Sequence, residues 1–330
     1  MTEKRTKPIL ISGMKPTGRI HLGNYLGAIK QVIDLKDKYD TTFFIADLHA
    51  LTSVHNSKDL RQNTRQLALD CLGAGIDTET MGFYKQSDLP EVTELCWIFN
   101  CLLNVSYLMR AHAYKDAVAK GEEANAGLFS YPVLMAADIL IHKSKVVPVG
   151  EDQRQHLEYA RDLADKFNKT YKKVFPLPKG IIPESVGIIP GTDGRKMSKS
   201  YNNTISLFAE REEIKKEVMK IPTDSKSIEE AKDPDTCNVF RIYSLVAPKK
   251  DTQVLRKRYT EGGVGYKEAK DILIDALDEY LRPFRERRKK YEKDPEKLEK
   301  ALGKGSKKAR ANTLKTMEEV RRAVGILPVK

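Results

Sequence analysis

The chain has 330 residues, 40% of them hydrophobic, which suffices for one large core and a smaller one and excludes a disordered or fibrous polypeptide. Lys and Arg number 58 against 46 Asp and Glu, a formal charge of +12 that favours an anionic partner. No apolar run is long enough to span a bilayer, the start MTEKRTKPILIS is not a signal peptide, and the cysteines (Cys71, Cys96, Cys101, Cys237) form no disulfide framework, so a reducing, cytoplasmic setting is expected.

Along the first two-thirds, short apolar runs alternate with amphipathic helical patterns, which predicts an α/β domain on a parallel sheet. Strands are expected at 8–12, 42–46, 81–85 and 145–149, and helices at 22–38, 59–74, 92–103 and 131–140. The stretch 125–141 is nearly all apolar, so its helix should be buried on most sides. Cys71, Cys96 and Cys101 fall in helical patterns and read as small core residues; Trp97 reads as core or subunit packing. His112, His142 and His156 lack ligand-like spacing, so no zinc site is expected.

After residue 200 strand-like runs stop, and helices are expected at 210–220, 239–246, 266–291 and 306–324. The boundary falls near 203–206. Residues 202–330 hold 31 Lys and Arg against 23 Asp and Glu, with six basic residues packed into 281–290. That density makes Arg285, Arg287 and Arg288 candidates for an RNA backbone, with a solvated helix face as the even alternative.

Two motifs carry chemistry. The first runs from Ile11 through Ser12-Gly13-Met14-Lys15-Pro16-Thr17-Gly18 to His21-Leu22-Gly23-Asn24 and reads as strand, tight loop and helix start. That geometry offers free backbone N–H groups to an anion, and Gly23 lets a base or ribose approach. The second, Lys196-Met197-Ser198-Lys199-Ser200, follows a glycine-rich turn and delivers two lysines and two small hydroxyls, groups suited to following phosphates as they move. Asp138 is the one acidic residue in an apolar helix, and an unpartnered carboxylate there would be costly, so a ligand or polar partner is expected for it.

HLGN and KMSKS resemble the two signatures of class I aminoacyl-tRNA synthetases, and the segments 129–140 and 147–156 are similar to those of bacterial-type tryptophanyl-tRNA synthetases. The resemblance runs nearly full length. It implies a Rossmann-like catalytic domain at 1–203 and an all-α domain at 204–330 that reads the tRNA anticodon, its last helix free to pack back on the first domain. L-tryptophan would be activated with ATP to the adenylate and passed to tRNA(Trp), with Mg²⁺ on the phosphates and no metal held by side chains. The implied assembly is a homodimer; neither a membrane nor DNA is an implied partner.

By the same resemblance, ATP would meet Lys15, Pro16, Thr17, Gly23, Asn24, Gly150, Glu151, Asp152, Ile188, Lys196, Met197, Ser198, Lys199 and Ser200. Tryptophan would meet His49, Tyr131, Met135, Asp138 and Gln153. His21, Lys196, Ser198 and Lys199 would stabilise the transferring phosphate. Lys15 departs from the pattern, standing where many members have glutamine. Cys237 is the only cysteine after residue 101, so the iron–sulfur cluster of some members cannot form here. The rivals are a tyrosyl-tRNA synthetase, which shares fold and signatures, and a non-catalytic RNA-binding paralogue.

Overall fold

The computed structural model describes residues 7–119, 121, 124–148, 150, 154–181 and 188–326. Among them β1 (Ile9–Met14), β2 (Asp40–Ile45), β3 (Gly82–Lys85), β4 (Val146–Pro148) and β5 (Lys179–Ile181) form one parallel sheet in the order β3-β2-β1-β4-β5. The chain steps outward from β1 through β2 to β3, then returns to lay β4 on the other side of β1. This Rossmann-like order leaves a topological switch between β1 and β4, the place where such sheets bind ligands beyond their carboxyl ends. β1 and β2 pair from Ile9 opposite Asp40 to Met14 opposite Ile45, whereas β1 meets β4 at Leu10 opposite Val146.

The helices are α1 (Leu22–Asn24), a π segment (Tyr25–Ile29), α2 (Lys30–Asp34), α3 (Asp47–Ala50), α4 (Ser57–Ala74), α5 (Glu91–Asn100), α6 (Val105–Leu108), α7 (His112–Ala119), α8 (Ala126–Ile141), α9 (Arg154–Thr170), α10 (Arg211–Met219), α11 (Asn238–Val246), α12 (Lys249–Glu261), α13 (Tyr266–Glu292) and α14 (Pro295–Val324). Strand alternation splits the core into two. Leu10, Phe43 and Phe83 pack with α4, α10, α11 and α13, while Ile11, Phe44 and Tyr84 pack with α5, α8 and α9. None of these helices is long and apolar enough to cross a membrane.

The expected helix at 22–38 is broken by the π segment and ends at Asp34. The structure adds β5, α9, α12 and the short helices α3, α6 and α7 to the expected set. β5 is three residues without an apolar pattern, which periodicity cannot register. α9 buries Leu157, Ala160, Leu163, Ala164 and Phe167, a legible helical spacing diluted by its many charges.

The last helix starts at Pro295, well before 306, with Asp294 accepting the Lys297 N–H as its cap. Its glycines look like breakers in the sequence, but Gly305 has a packing reason. A Cβ there would lie 1.7 Å from the carbonyl oxygen of Phe83, so α14 crosses β3 backbone to backbone and covers the sheet's edge. Leu298, Ala301 and Leu302 join one core and Ala309, Met317 and Val320 the other. Ion pairs Lys308–Asp40, Arg310–Glu91, Arg321–Glu94 and Lys143–Glu319 tie α14 to β2, α5 and the end of α8. Gly305→Ala should therefore destabilise the protein by about 2–3 kcal/mol through overpacking, read as a lower urea midpoint at unchanged slope. A midpoint equal to wild type would mean that α14 stands off the sheet.

Candidate active site

A cavity of about 490 Å³ opens at the switch point, lined by residues 11–15 of β1 and the loop after it and by Val147 and Pro148 of β4. Its far wall is α8, which presents Tyr131, Met135 and Asp138 at helical spacing on one face. Asn125 starts that helix by accepting the Leu128 N–H. His49 from α3, Lys15 and Gly150 complete the wall, so the expected ring-binding residues that the structure describes share one space. Glu151, Asp152 and Gln153 lie outside the described residues.

Asp138 is 1% exposed, and its expected polar partner exists. Gln86 Nε2 donates to Oδ1 at 3.0 Å and to Oδ2 at 2.8 Å, and His49 Nε2 donates to Oδ2 at 3.1 Å. Burial raises the Asp138 pKa, opposed by hydrogen bonds from His49 and Gln86. Gln86 was not legible as a site residue: it follows an ordinary strand and belongs to no motif. The Tyr131 hydroxyl meets His156 Nε2, and burial pushes its pKa up to about 12, so it stays neutral. Lys15 Nζ lies 5.6 Å from the centre of the Tyr131 ring, and burial lowers its pKa.

Met14 and Lys15 also line a second, polar cavity of about 330 Å³ with Thr17, His21, Asn24, Ser198 and Lys199. The two cavities therefore adjoin at Lys15. His21 Nδ1 accepts the Asn24 N–H at 3.2 Å while Asn24 Oδ1 accepts the His21 N–H at 3.3 Å, a reciprocal cap. Burial, then repulsion from Lys199, lowers the His21 pKa to about 4. At neutral pH the ring is uncharged with its proton on Nε2, a hydrogen-bond donor rather than an acid.

The second motif docks on the first. Met197 Sδ accepts the Gly23 N–H at 3.2 Å, and Lys199 Nζ donates to the Thr17 carbonyl at 3.0 Å. Asn203, buried, braces the loop from beneath: Nδ2 donates to Asp193 Oδ1 and the Lys196 carbonyl, and Oδ1 accepts the Ser198 N–H. Asn238 of α11 donates to the Gly191 carbonyl at 2.6 Å, tying the loop base to the helical half. Neither asparagine stands out in the sequence. Lys196 and Ser200 are exposed, Pro16 is buried and Ile188 is 69% exposed beside this loop.

A family model described as tRNA synthetases class I (W and Y) matches residues 3–282. The tryptophan–tRNA ligase of Fusobacterium nucleatum is 46% identical over 96% of this chain and 98% of its own length. The chain belongs to the tryptophan–tRNA ligases. The ligase of Rhodopirellula baltica is 45% identical over 96% of this chain and 99% of its own. Among solved structures, the tryptophanyl-tRNA synthetase of Campylobacter jejuni complexed with ADP and tryptophan superposes with a TM-score of 0.91 at 42% identity, covering 96% of this chain and 99% of that one.

Two expectations change in this ligase. Three of the arginines of α13, Arg285, Arg287 and Arg288, turn inward, while Arg282 stays exposed. Arg285 is buried, donating to the Ala209 carbonyl and Asp278; Arg287 donates to the Gly73 carbonyl; Arg288 donates to Asp70 and Gln66. Their guanidiniums are engaged by backbone carbonyls, carboxylates and the Gln66 amide, so these three are not free for an RNA backbone, whereas Arg282, Lys289 and Lys290 of the same run are exposed. The reason is geometric: α13 lies on α4, and Arg287 and Arg288 answer acceptors there. Of the cysteines, Cys71 is buried, Cys96 is half-buried against the second core and Cys101 is exposed, so Cys101 departs from the core reading. Trp97, 71% exposed, is not core, which leaves subunit packing of the two roles expected for it.

Proposed function

We propose that the two adjoining cavities hold tryptophan and ATP, with the amino-acid carboxylate and the α-phosphate meeting at Lys15. The observation that carries this reading is the placement of Asp138 at the wall of the apolar cavity while the KMSKS loop closes the polar one. The carboxylate oxygen attacks the α-phosphate, and pyrophosphate leaves on the side of Lys199. Positioning and charge supply most of the rate, since this displacement asks little covalent chemistry of the protein. Lys196, Lys199, Ser198 and neutral His21 act on the phosphates. Mg²⁺ enters with ATP as part of the substrate; no group of three or more His, Cys, Asp or Glu among the described residues could hold it.

The aminoacyl group then passes to the 3′ ribose of tRNA(Trp), and the part from 204 onward contacts the anticodon. A cytoplasmic homodimer is the assembly we propose. Trp97, Val105, Met109 and Leu51 are exposed apolar side chains that a second copy would cover.

ATP–pyrophosphate exchange with tryptophan, tyrosine or no amino acid tests the reading. Tryptophan should support exchange at least ~10²-fold better than tyrosine, because a buried acceptor left unpaired penalises the wrong ring. Faster exchange with tyrosine would point to a tyrosine enzyme, equal rates would remove the role given to Asp138, and no exchange with either would point to an RNA-binding paralogue.

A further inference from the structure

Gln86 lies just past β3 and is wholly buried. Its Oε1 accepts the backbone N–H groups of Leu48 and His49 at 3.1 and 3.2 Å. These belong to the first turn of α3, whose leading residue, Ala46, gives no side-chain cap. Two donors on one side settle which way the amide points, since a flipped amide would set its NH2 against both. Nε2 is thereby committed to Asp138. Of the two carboxylate oxygens, Oδ2 receives Gln86 and His49, while Oδ1 receives Gln86 alone. A carboxylate oxygen accepts about two hydrogen bonds, so Oδ1 keeps one position open on a side chain that lines the larger cavity.

From this geometry we infer that Gln86 is a positioning residue that sets ring specificity: it holds the Asp138 carboxylate as an acceptor with one open position, which a ring N–H fills. The inference rests on the tryptophan reading proposed above and assigns the choice of ring to a residue that does not touch it. Without the Gln86 donor, burial favours a protonated carboxyl. A carboxylic acid can donate as well as accept, and a ring lacking N–H then loses its disadvantage. The groups facing Asp138 are Asp47 and His49 from α3, Tyr84 from β3 and Cys96 from α5. Asp47 adds to the push toward protonation, and His49 opposes it.

The test is pyrophosphate exchange by the full chain, unmodified or as Gln86→Met or Gln86→Glu, with tryptophan and with its analogue carrying sulfur in place of the ring nitrogen. In Gln86→Met the KM for tryptophan should rise about tenfold, with kcat and the KM for ATP within about twofold, and the KM for the sulfur analogue should barely move. Gln86→Glu is nearly isosteric and keeps the test decisive if the methionine variant does not fold. It should lose the preference for tryptophan at about pH 8 and regain it at about pH 6, where the shared proton lets the new side chain donate as the amide did. An equal KM rise for both substrates, or a Gln86→Glu preference flat with pH, would overturn the inference. Absence of tryptophan-dependent exchange in the unmodified enzyme would instead overturn the reading beneath it.

Discussion

Replacing Lys199 by alanine is expected to slow adenylate formation by at least ~10²-fold, the loss of a few kcal/mol of charge stabilisation at the leaving pyrophosphate. Lys199 Nζ already sits in the polar cavity, held on the Thr17 carbonyl, and desolvation lowers its pKa. A cation parked on a neutral carbonyl is easily drawn to a phosphate, because the exchange trades one dipole for a full charge. Tryptophan affinity should stay within about twofold, since the ring cavity shares only Met14 and Lys15 with this one. Equilibrium binding of tryptophan and single-turnover adenylate formation separate the two effects. Normal turnover with weakened tryptophan binding would show that the loop meets the amino acid instead.

Arg288→Met should have the largest effect on stability, on the order of 3–5 kcal/mol. It strips Asp70, which is 2% exposed, of its only cationic partner at hydrogen-bond distance among the described residues. Asp70 also accepts the Ile20 N–H at 3.2 Å, directly before His21. Burial raises its pKa, and Arg288 works against that, so the variant leaves a carboxyl that takes up a proton and loosens its hold on Ile20. Pyrophosphate exchange should therefore fall even with no tRNA present. Urea unfolding and exchange, run side by side, check both. A variant with full stability and full exchange but poor tRNA charging would restore Arg288 as an RNA contact.

That reversal shows where sequence reading stops. Charge density along α13 is visible in the sequence, but which way a guanidinium turns depends on acceptors 214 to 218 positions away on α4, as with Arg287 on Gly73 and Arg288 on Asp70. Gly305 has the same character: it reads as a helix breaker until Phe83 is found against it. What was legible followed from local pattern. Four of the five strands, the burial of α8 from Pro132 onward (its first turns, expected buried, are not) and the loops carrying HLGN and KMSKS come from periodicity and turn chemistry. The structure places His49, Tyr131, Met135 and Asp138 around one cavity. Gln86, Asn203 and Asn238 stayed hidden because each acts through one amide across the fold, which leaves no periodic trace.

In the proposed mechanism Asp138 reads the nitrogen of an indole. The direct measurement is a double cycle of kcat/KM in pyrophosphate exchange, with wild type and Asp138→Ala against tryptophan and the sulfur analogue. Asp138→Ala should cost tryptophan about 1.5–3 kcal/mol, the worth of a hydrogen bond to a charged group, and should cost the sulfur analogue much less, because that ring never donated the bond. A coupling energy indistinguishable from zero would make Asp138 a core carboxylate satisfied by Gln86 and His49 alone, and the choice of tryptophan would then rest on other residues.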